Sequence, residues 1–239
     1  MKNSDIRRER PPRKSSFLKR IFVFLVVIVM IAGAGAAAGF FVSVSKHLPD
    51  VTANIQPNAS SRIYDDKGRL ITTVHAEENR IPVPITEVPQ NLQNAFVAAE
   101  DVRFYEHHGI DPRGILRAVW NNVLSRNATG QGGSTITQQL ARNAFLTQEQ
   151  TLKRKLLEVV LALQIENKYT KKQILEMYMN QIYFGQGCYG IQTASRVYFG
   201  KDVKDLTLPQ CAMLAGLPNS PNYYSPFRSL EAAKYRQGI

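Results

Sequence analysis

The chain has 239 residues, 44% of them hydrophobic, and a formal net charge of +11. Residues 1–20 carry eight lysines and arginines against two acids, a net of +6, which leaves the rest of the chain only mildly basic. Because most of the excess charge lies in a tail rather than on a folded face, the composition argues against nucleic acid as a partner. The two cysteines lack metal-ligand spacing, so they predict neither a zinc site nor a disulfide framework.

The first predicted element is an uncharged apolar segment. Residues 21–42 contain no charged side chain, and a helix that rises about 1.5 Å per residue crosses a hydrocarbon core of roughly 30 Å over that length. We therefore predict a basic cytoplasmic tail at 1–20, a single transmembrane helix at 21–44 and a linker at 45–60. The positive-inside rule then places residues 61–239 outside the membrane. A cleaved signal peptide is the alternative, but its apolar region is shorter, about 7–15 residues.

The exported part begins with predicted β structure and continues as predicted helices. Residues 62–74 have β-rich flanks around the turn signal Asp65-Asp66-Lys67-Gly68, which indicates a small hairpin. Apolar periodicity and capping residues predict helices at residues 89–101, 113–125, from 134 or 135 onward, 151–169, 170–182, 207–216 and from 229 onward. The predicted fold class is mainly α with a minor β element, in one domain at residues 61–239.

The residues around position 100 combine a carboxylate with a helical apolar stripe. Leu92, Phe96 and Glu100 lie at i, i+4 and i+8, so Glu100 continues a stripe that packs into the core, near the negative end of its helix. Burial raises the pKa of a carboxyl group, so Glu100 is a candidate general base. The alternative is that Glu100 and Asp101 are ordinary polar residues at a helix end. The nearby His107 is expected to be structural, since a third metal ligand is missing.

The segment GGSTITQQLARN, residues 132–143, predicts a helix start that exposes hydrogen-bond donors. The backbone N–H groups and the hydroxyls of Ser134 and Thr135 would lie at the positive end of the helix, where they suit a phosphate or a sugar hydroxyl. Gln138, Gln139 and Arg142 extend this polar face. A solvated helix surface has a similar pattern, so this segment alone is not specific.

The second carboxylate, Glu158, stands beside two cations and before an apolar run. Arg154 and Glu158 at i, i+4 could form a surface ion pair worth only a few tenths of a kcal/mol. The apolar residues that follow Glu158 argue against full exposure. A half-buried carboxylate beside Arg154 and Lys155 suits a site for an anionic leaving group.

Four segments together resemble a known enzyme family. EDVRFYEHHG (100–109), GGSTITQQLARN (132–143), RKLLE (154–158) and KKQILEMYMNQIYFG (171–185) are similar in order and spacing to the peptidoglycan glycosyltransferases of family 51. This module forms the front of class A penicillin-binding proteins and also occurs in monofunctional versions. The resemblance covers roughly residues 60–235, and it implies a lysozyme-like fold in two lobes with a membrane-embedded jaw beside the cleft.

The resemblance also implies a reaction, the polymerisation of lipid II. The growing glycan, held by its lipid pyrophosphate, is the donor, and the 4-hydroxyl of the incoming disaccharide is the nucleophile. Glu100 matches the base, and Glu158 matches the acid that assists departure of the pyrophosphate, directly or through a divalent metal, Mg²⁺ or Mn²⁺. Substrate contacts or the shaping of the site are implied for Asp101, Phe104, His107, Ser134, Thr135, Gln138, Gln139, Arg142, Arg154 and Lys155. Gln150 stands where the family usually has an arginine, which puts one pyrophosphate contact in doubt.

The expected partners are lipid II, the growing glycan strand, the bilayer and other proteins of cell-wall synthesis. The expected location is the plasma membrane, or inner membrane, with a single pass and an extracytoplasmic catalytic domain. Two alternatives stay open at this stage. One is a lysozyme-like cell-wall hydrolase, which uses carboxylates but needs no group of cations and amides for a pyrophosphate. The other is a non-catalytic cell-wall scaffold, which tolerates loss of either glutamate.

Overall fold

The computed structural model describes residues 15–45, 51, 61–74, 79–125, 132–146 and 151–239. The chain divides into two compact units, Met1–Leu48 and Pro49–Ile239. The first unit contains helix α1, Ser15–Ser45, which covers the segment predicted at 21–44. Across the described residues, no helix has the length and apolar character needed to traverse a membrane. Residues 1–14 and nearly all of the predicted linker lie outside the described residues.

The second unit opens with the predicted hairpin. Strands β1, Ser61–Tyr64, and β2, Leu70–Val74, pair antiparallel. The turn between them is held by Asp65, whose carboxylate accepts hydrogen bonds from the backbone N–H groups of Lys67 at 3.0 Å and Arg69 at 2.7 Å. An aspartate that bonds the backbone a few residues ahead is a common way to close a turn. The hairpin prediction is therefore confirmed.

The rest of this unit is mainly helical, and most helices start where the sequence predicted. Thr135 and Thr170 each form a capping box, with Gln138 and Gln173 respectively, so their side chains bond the first free N–H groups of the helix. Both predicted helix starts are confirmed, with Thr135 rather than Ser134 as the cap. The helices are α2 (Gln90–Glu100), α3 (Pro112–Ser125), α4 (Ile136–Phe145), α5 (Leu152–Lys168), α6 (Lys171–Gln181), α7 (Ile191–Phe199), α8 (Leu208–Gly216) and α9 (Leu230–Gln237).

Two short strands and helix α7 were not predicted from the sequence. Strand β3, Asn79–Arg80, pairs in parallel with β4, Cys188–Tyr189, inside the glycine-rich segment that the sequence indicated as a loop. Helix α7 follows directly after Gly190, which has φ of 80° and whose missing side chain leaves room for the carbonyl oxygen of Asn180, 2.8 Å from the position of a Cβ. The close approach of the two backbones explains why residue 190 is a glycine. This approach depends on tertiary packing, so the sequence alone did not indicate it.

The core forms between α2, α4, α5, α6 and α8. Phe96 of α2 is fully buried and meets the rings of Tyr178 and Phe184 edge-on, each at a centroid distance of 6.0 Å. Such edge-to-face pairs add about 0.5–1.5 kcal/mol beyond area burial. Helix α2 packs on α8, and α4 packs on both α5 and α6. This packing brings the last residue of α2 close to α4.

Candidate functional site

A cleft of about 480 Å³ opens between the end of α2, the start of α4 and the C-terminal segment. It is lined mainly by polar and charged groups, in contrast to the apolar pockets typical of drug-like ligands. Its lining includes several predicted site residues and one that was not predicted, namely Glu100, Ser134, Thr135, Gln139, Arg142 and Arg236. The cleft is thus built around one of the two predicted carboxylates.

Glu100 is the last residue of α2 and is held by one hydrogen bond. The side-chain amide Nε2 of Gln139 donates to its Oε2 at 2.8 Å. Its other oxygen, Oε1, is buried without a hydrogen-bond partner among the described residues. Burial raises the pKa of Glu100, while the bond from Gln139 and the positive charges of Arg236 and Arg142 oppose that rise. The predicted upward shift is confirmed, and the carboxylate has one oxygen, Oε1, that no hydrogen bond occupies among the described residues.

Asp101 joins the segment after α2 to the start of α4. Its buried carboxylate accepts the backbone N–H of Ile136 at 3.1 Å and lies 2.9 Å from Nε2 of His107. A carboxylate at a helix N-terminus is stabilised by the free N–H groups there. The hydroxyl of Thr135 adds a second link, since it donates to the carbonyl of Gly109 at 2.7 Å. Asp101 and His107 therefore fix the position of Glu100 relative to α4.

Several residues that the sequence assigned to substrate contacts or to the shaping of the site are used inside the protein. Phe104 has no exposed surface, and the ammonium of Lys171 lies 4.5 Å from its ring centroid. Gln138 is 1% exposed, because its side-chain oxygen accepts the backbone N–H of Thr135 in the capping box. His107 is buried beside Asp101. For Gln138 we revise the expected role from substrate contact to positioning of the site, whereas the burial of Phe104 and His107 agrees with the expectation that they shape it.

Glu158 lies in the interior of α5 with two cationic partners. It has no exposed surface, its Oε2 is 2.8 Å from Nζ of Lys155, and its Oε1 is 3.2 Å from Nε of Arg154. The predicted pairing with two cations is confirmed and the exposed surface pair is excluded, but Glu158 is fully buried where the sequence predicted half burial. Lys155 also donates to the hydroxyl of Ser134 at 2.7 Å. This bond connects Glu158 to the start of α4, where the cleft begins.

The described residues do not form a metal site of their own. No group of three or more His, Cys, Asp or Glu side chains among them is arranged to hold an ion. Both oxygens of Glu158 already face cations, so a divalent ion bound there would meet two positive charges. The donor set therefore does not fit a metal held by this chain alone, and the expected Mg²⁺ or Mn²⁺ stays a prediction.

Arg236 and Tyr178 are among the residues of the site that the sequence did not predict. Arg236 of α9 lines the cleft, donates weakly to the carbonyl of Gly216 at 3.4 Å, and places its charge near Glu100. It lies 136 positions from Glu100, and no local pattern marks it. Tyr178 lies within the KKQILEMYMNQIYFG segment, and its hydroxyl donates to Oε1 of Gln139 at 3.2 Å. Its place in a helical apolar pattern indicated only a core residue.

Comparison with known proteins shows the family of this chain. The family model described as Transglycosylase matches residues 67–239. The chain is 45% identical to penicillin-binding protein 1A of Escherichia coli K12, over 92% of this chain and 26% of that protein. It is 43% identical to penicillin-binding protein 1F of Bacillus subtilis 168, over 92% of this chain and 30% of that protein. The chain thus spans less than a third of the length of these relatives.

A solved structure is also similar, the crystal structure of penicillin-binding protein 1A from Haemophilus influenzae. It is 26% identical, the match covers 76% of this chain and 17% of that one, and the TM-score is 0.39. The family assignment rests on the sequence matches, which include the segments that carry Glu100, Glu158 and the start of α4. The chain belongs to the transglycosylase family.

Proposed function

We propose that this chain polymerises lipid II into peptidoglycan glycan strands. The observation that carries the proposal is the linking of two unlike carboxylates by one segment, residues 134–139. Glu100 lines the cleft with a raised pKa and receives a hydrogen bond from Gln139 of α4. Glu158 is buried between Arg154 and Lys155, and Lys155 donates to Ser134, two residues before the start of α4. Glycosyl transfer with inversion needs a base on one face of the sugar and charge stabilisation on the other.

In the proposed reaction the 4-hydroxyl oxygen of one lipid II attacks the anomeric carbon of the growing glycan. The bond from that carbon to the lipid pyrophosphate breaks, and its electron pair leaves with the pyrophosphate. The hydroxyl proton passes to the carboxylate of Glu100, which lines the cleft and has one oxygen without a hydrogen-bond partner among the described residues. Lys155 and Arg154, held by Glu158, stabilise the departing charge, and Ser134 and the N–H groups at the start of α4 add donors.

The proposal includes attachment to the membrane and a lysozyme-like fold in two lobes. A substrate with a polyprenyl tail keeps its reacting groups at the bilayer surface. Every residue from 21 to 31 of α1 exposes an apolar side chain. On α3, Leu116 is 70% exposed and Trp120 is 65% exposed. Exposed apolar surface of this extent fits a lipid environment better than water. We place the N-terminal tail in the cytoplasm and the second unit outside, from the charge of residues 1–20.

A divalent cation enters the proposal only with the substrate. Mg²⁺ usually binds through one or two carboxylates together with substrate phosphates and keeps several waters. The chain supplies the cations Lys155 and Arg154 directly, so we assign them the stabilisation of the pyrophosphate. Other proteins of cell-wall synthesis remain proposed partners on the basis of the family alone.

The test is synthesis of glycan strands from purified lipid II by the full chain in detergent, with Mg²⁺ or Mn²⁺. Glu100→Gln is expected to reduce the rate by about 10²–10⁴-fold, the range for loss of a general base. The matched control is Glu106→Gln, because Glu106 is exposed in the same segment. A Glu100→Gln rate within about threefold of the control contradicts the assignment. Release of fragments from purified cell wall without consumption of lipid II would instead favour a hydrolase.

A further inference from the structure

Gln139 lies between the carboxylate of Glu100 and a buried tyrosine. Its Nε2 donates to Glu100 at 2.8 Å, and its Oε1 accepts the hydroxyl of Tyr178 at 3.2 Å. Tyr178 is fully buried in α6, with the ring of Phe96 edge-on against it. The three side chains form one hydrogen-bonded line from the core of the domain to the cleft. Tyr178 is not exposed there, so it does not reach a substrate.

The donor and acceptor roles in these two hydrogen bonds are fixed by Glu100 at one end and by Tyr178 at the other. An amide has two orientations, and only the one observed presents an N–H to the carboxylate of Glu100. Burial and the charge of Glu100 raise the pKa of Tyr178 well above its usual range, so its hydroxyl keeps its proton at any working pH. A hydroxyl that donates to the amide oxygen also polarises the amide. This polarisation strengthens the hydrogen bond that the amide N–H donates on its other side.

We propose that Tyr178 is a positioning residue that sets the basicity of Glu100 by holding and polarising the amide of Gln139. The proposal rests on the proposed role of Glu100 as the base. It goes beyond that role, because it assigns part of the control of the base to a side chain that touches no substrate. The line also explains why a tyrosine occupies a position where phenylalanine would fill the same volume.

The hydrogen bond from Gln139 lowers the pKa of Glu100, so weakening that bond raises it. The other charges that face Glu100 are Arg236 on α9, Arg142 on α4 and the neighbouring Asp101, and none of them contacts Tyr178 through a hydrogen bond among the described residues. Removal of the Tyr178 hydroxyl therefore leaves these charges in place. The expected signature is a shift of the acid limb of kcat/KM to higher pH.

The test compares Tyr178→Phe with Tyr198→Phe in the full chain. Tyr198 is a matched control, because its hydroxyl also donates one hydrogen bond, to the carbonyl of Phe184 at 2.8 Å, away from Glu100. With lipid II as substrate, Tyr178→Phe is expected to lower kcat about three- to tenfold, the usual effect of one hydrogen bond, with KM unchanged. Its acid limb moves to higher pH, and that of Tyr198→Phe stays at the parent position.

A double-mutant cycle shows whether Tyr178 acts through Gln139. If it does, Tyr178→Phe has no further effect on kcat or on the acid limb when Gln139 is already alanine. Additive losses in the cycle, a rise in KM instead of a fall in kcat, or an acid limb that matches the parent would each overturn the proposal. Equal melting temperatures for the two tyrosine variants exclude a general loss of structure.

A substrate-free measurement separates this inference from the proposed function. The carboxyl carbon of Glu100 is titrated by NMR in the parent, Tyr178→Phe and Tyr198→Phe proteins, and only Tyr178→Phe is expected to titrate at higher pH. If lipid II is not a substrate, this titration still supports or refutes the line from Tyr178 to Glu100. If lipid II is polymerised but the three titrations coincide, the function stands and the positioning role is wrong.

Discussion

Replacing Asp101 with alanine removes the acceptor of two buried donors. Its carboxylate binds the backbone N–H of Ile136 at 3.1 Å and faces Nε2 of His107 at 2.9 Å, and Ile136 is fully buried. A buried donor left without a partner costs about 1–3 kcal/mol. Two such donors give a loss of about 3 kcal/mol in the free energy of unfolding, which lies in the lower half of the summed range.

This loss converts to a measurable change in melting temperature. A domain of this size loses about 2–4 °C per kcal/mol, so Asp101→Ala is expected to melt about 6–12 °C below the parent. Asp101→Asn keeps one acceptor oxygen for Ile136 and is expected to lose about half as much. The matched control is Asp205→Ala, because Asp205 is exposed and a surface change of this kind stays within about 0.5 kcal/mol.

The assay is thermal unfolding of the full chain in detergent, followed by the helical circular dichroism signal at neutral pH. Activity on lipid II is measured in parallel, well below the melting temperature of each variant. Because Asp101 fixes the segment that carries Glu100, activity is expected to fall more than the folded fraction does. A melting temperature of Asp101→Ala within about 1 °C of the Asp205→Ala control would refute the reasoning.

Three further outcomes are expected. Lys155→Met leaves Glu158 with Arg154 alone and removes a donor from the leaving group, so kcat for lipid II falls about 10²-fold, whereas Lys155→Arg retains a larger part of the rate. Glu100 has a raised pKa, so activity rises with pH as Glu100 loses its proton. Arg236→Gln removes a positive charge that lowers this pKa, so the acid limb of the pH–rate profile is expected to move to higher pH; a move to lower pH would contradict the reasoning. Gly190→Ala places a Cβ 2.8 Å from the carbonyl oxygen of Asn180 at φ of 80°, so its unfolding midpoint in urea falls clearly below that of Gly187→Ala, which has a positive φ but open space.

Sequence reasoning succeeded where the determining contacts are local. Glu158 meets Lys155 and Arg154 one helical turn away, so spacing alone predicted the cluster, and the apolar run predicted its burial. Thr135 and Gln138 form a capping box by their separation of three residues. That same rule could have shown that Gln138 is used within the protein, although the sequence analysis assigned it to the polar face.

Where the contacts join distant parts of the chain, sequence reasoning failed. Arg236 reaches the cleft only because α9 packs on α8, which in turn packs on the helix that ends at Glu100. The line from Tyr178 to Glu100 needs three helices in their final places. Strand β3 consists of two residues and exists only through its pairing with β4. None of these features has a period or a spacing that a linear pattern can contain.

The bond between Lys155 and Ser134 restricts what the Ser134 hydroxyl can offer to a ligand. The ammonium of Lys155 donates to the oxygen of Ser134 at 2.7 Å, so one lone pair of that oxygen is occupied. The hydroxyl hydrogen then points away from the lysine and is available as a donor. At this position the protein therefore favours a hydrogen-bond acceptor over a donor, since the hydroxyl hydrogen is free to donate and only one lone pair is left to accept.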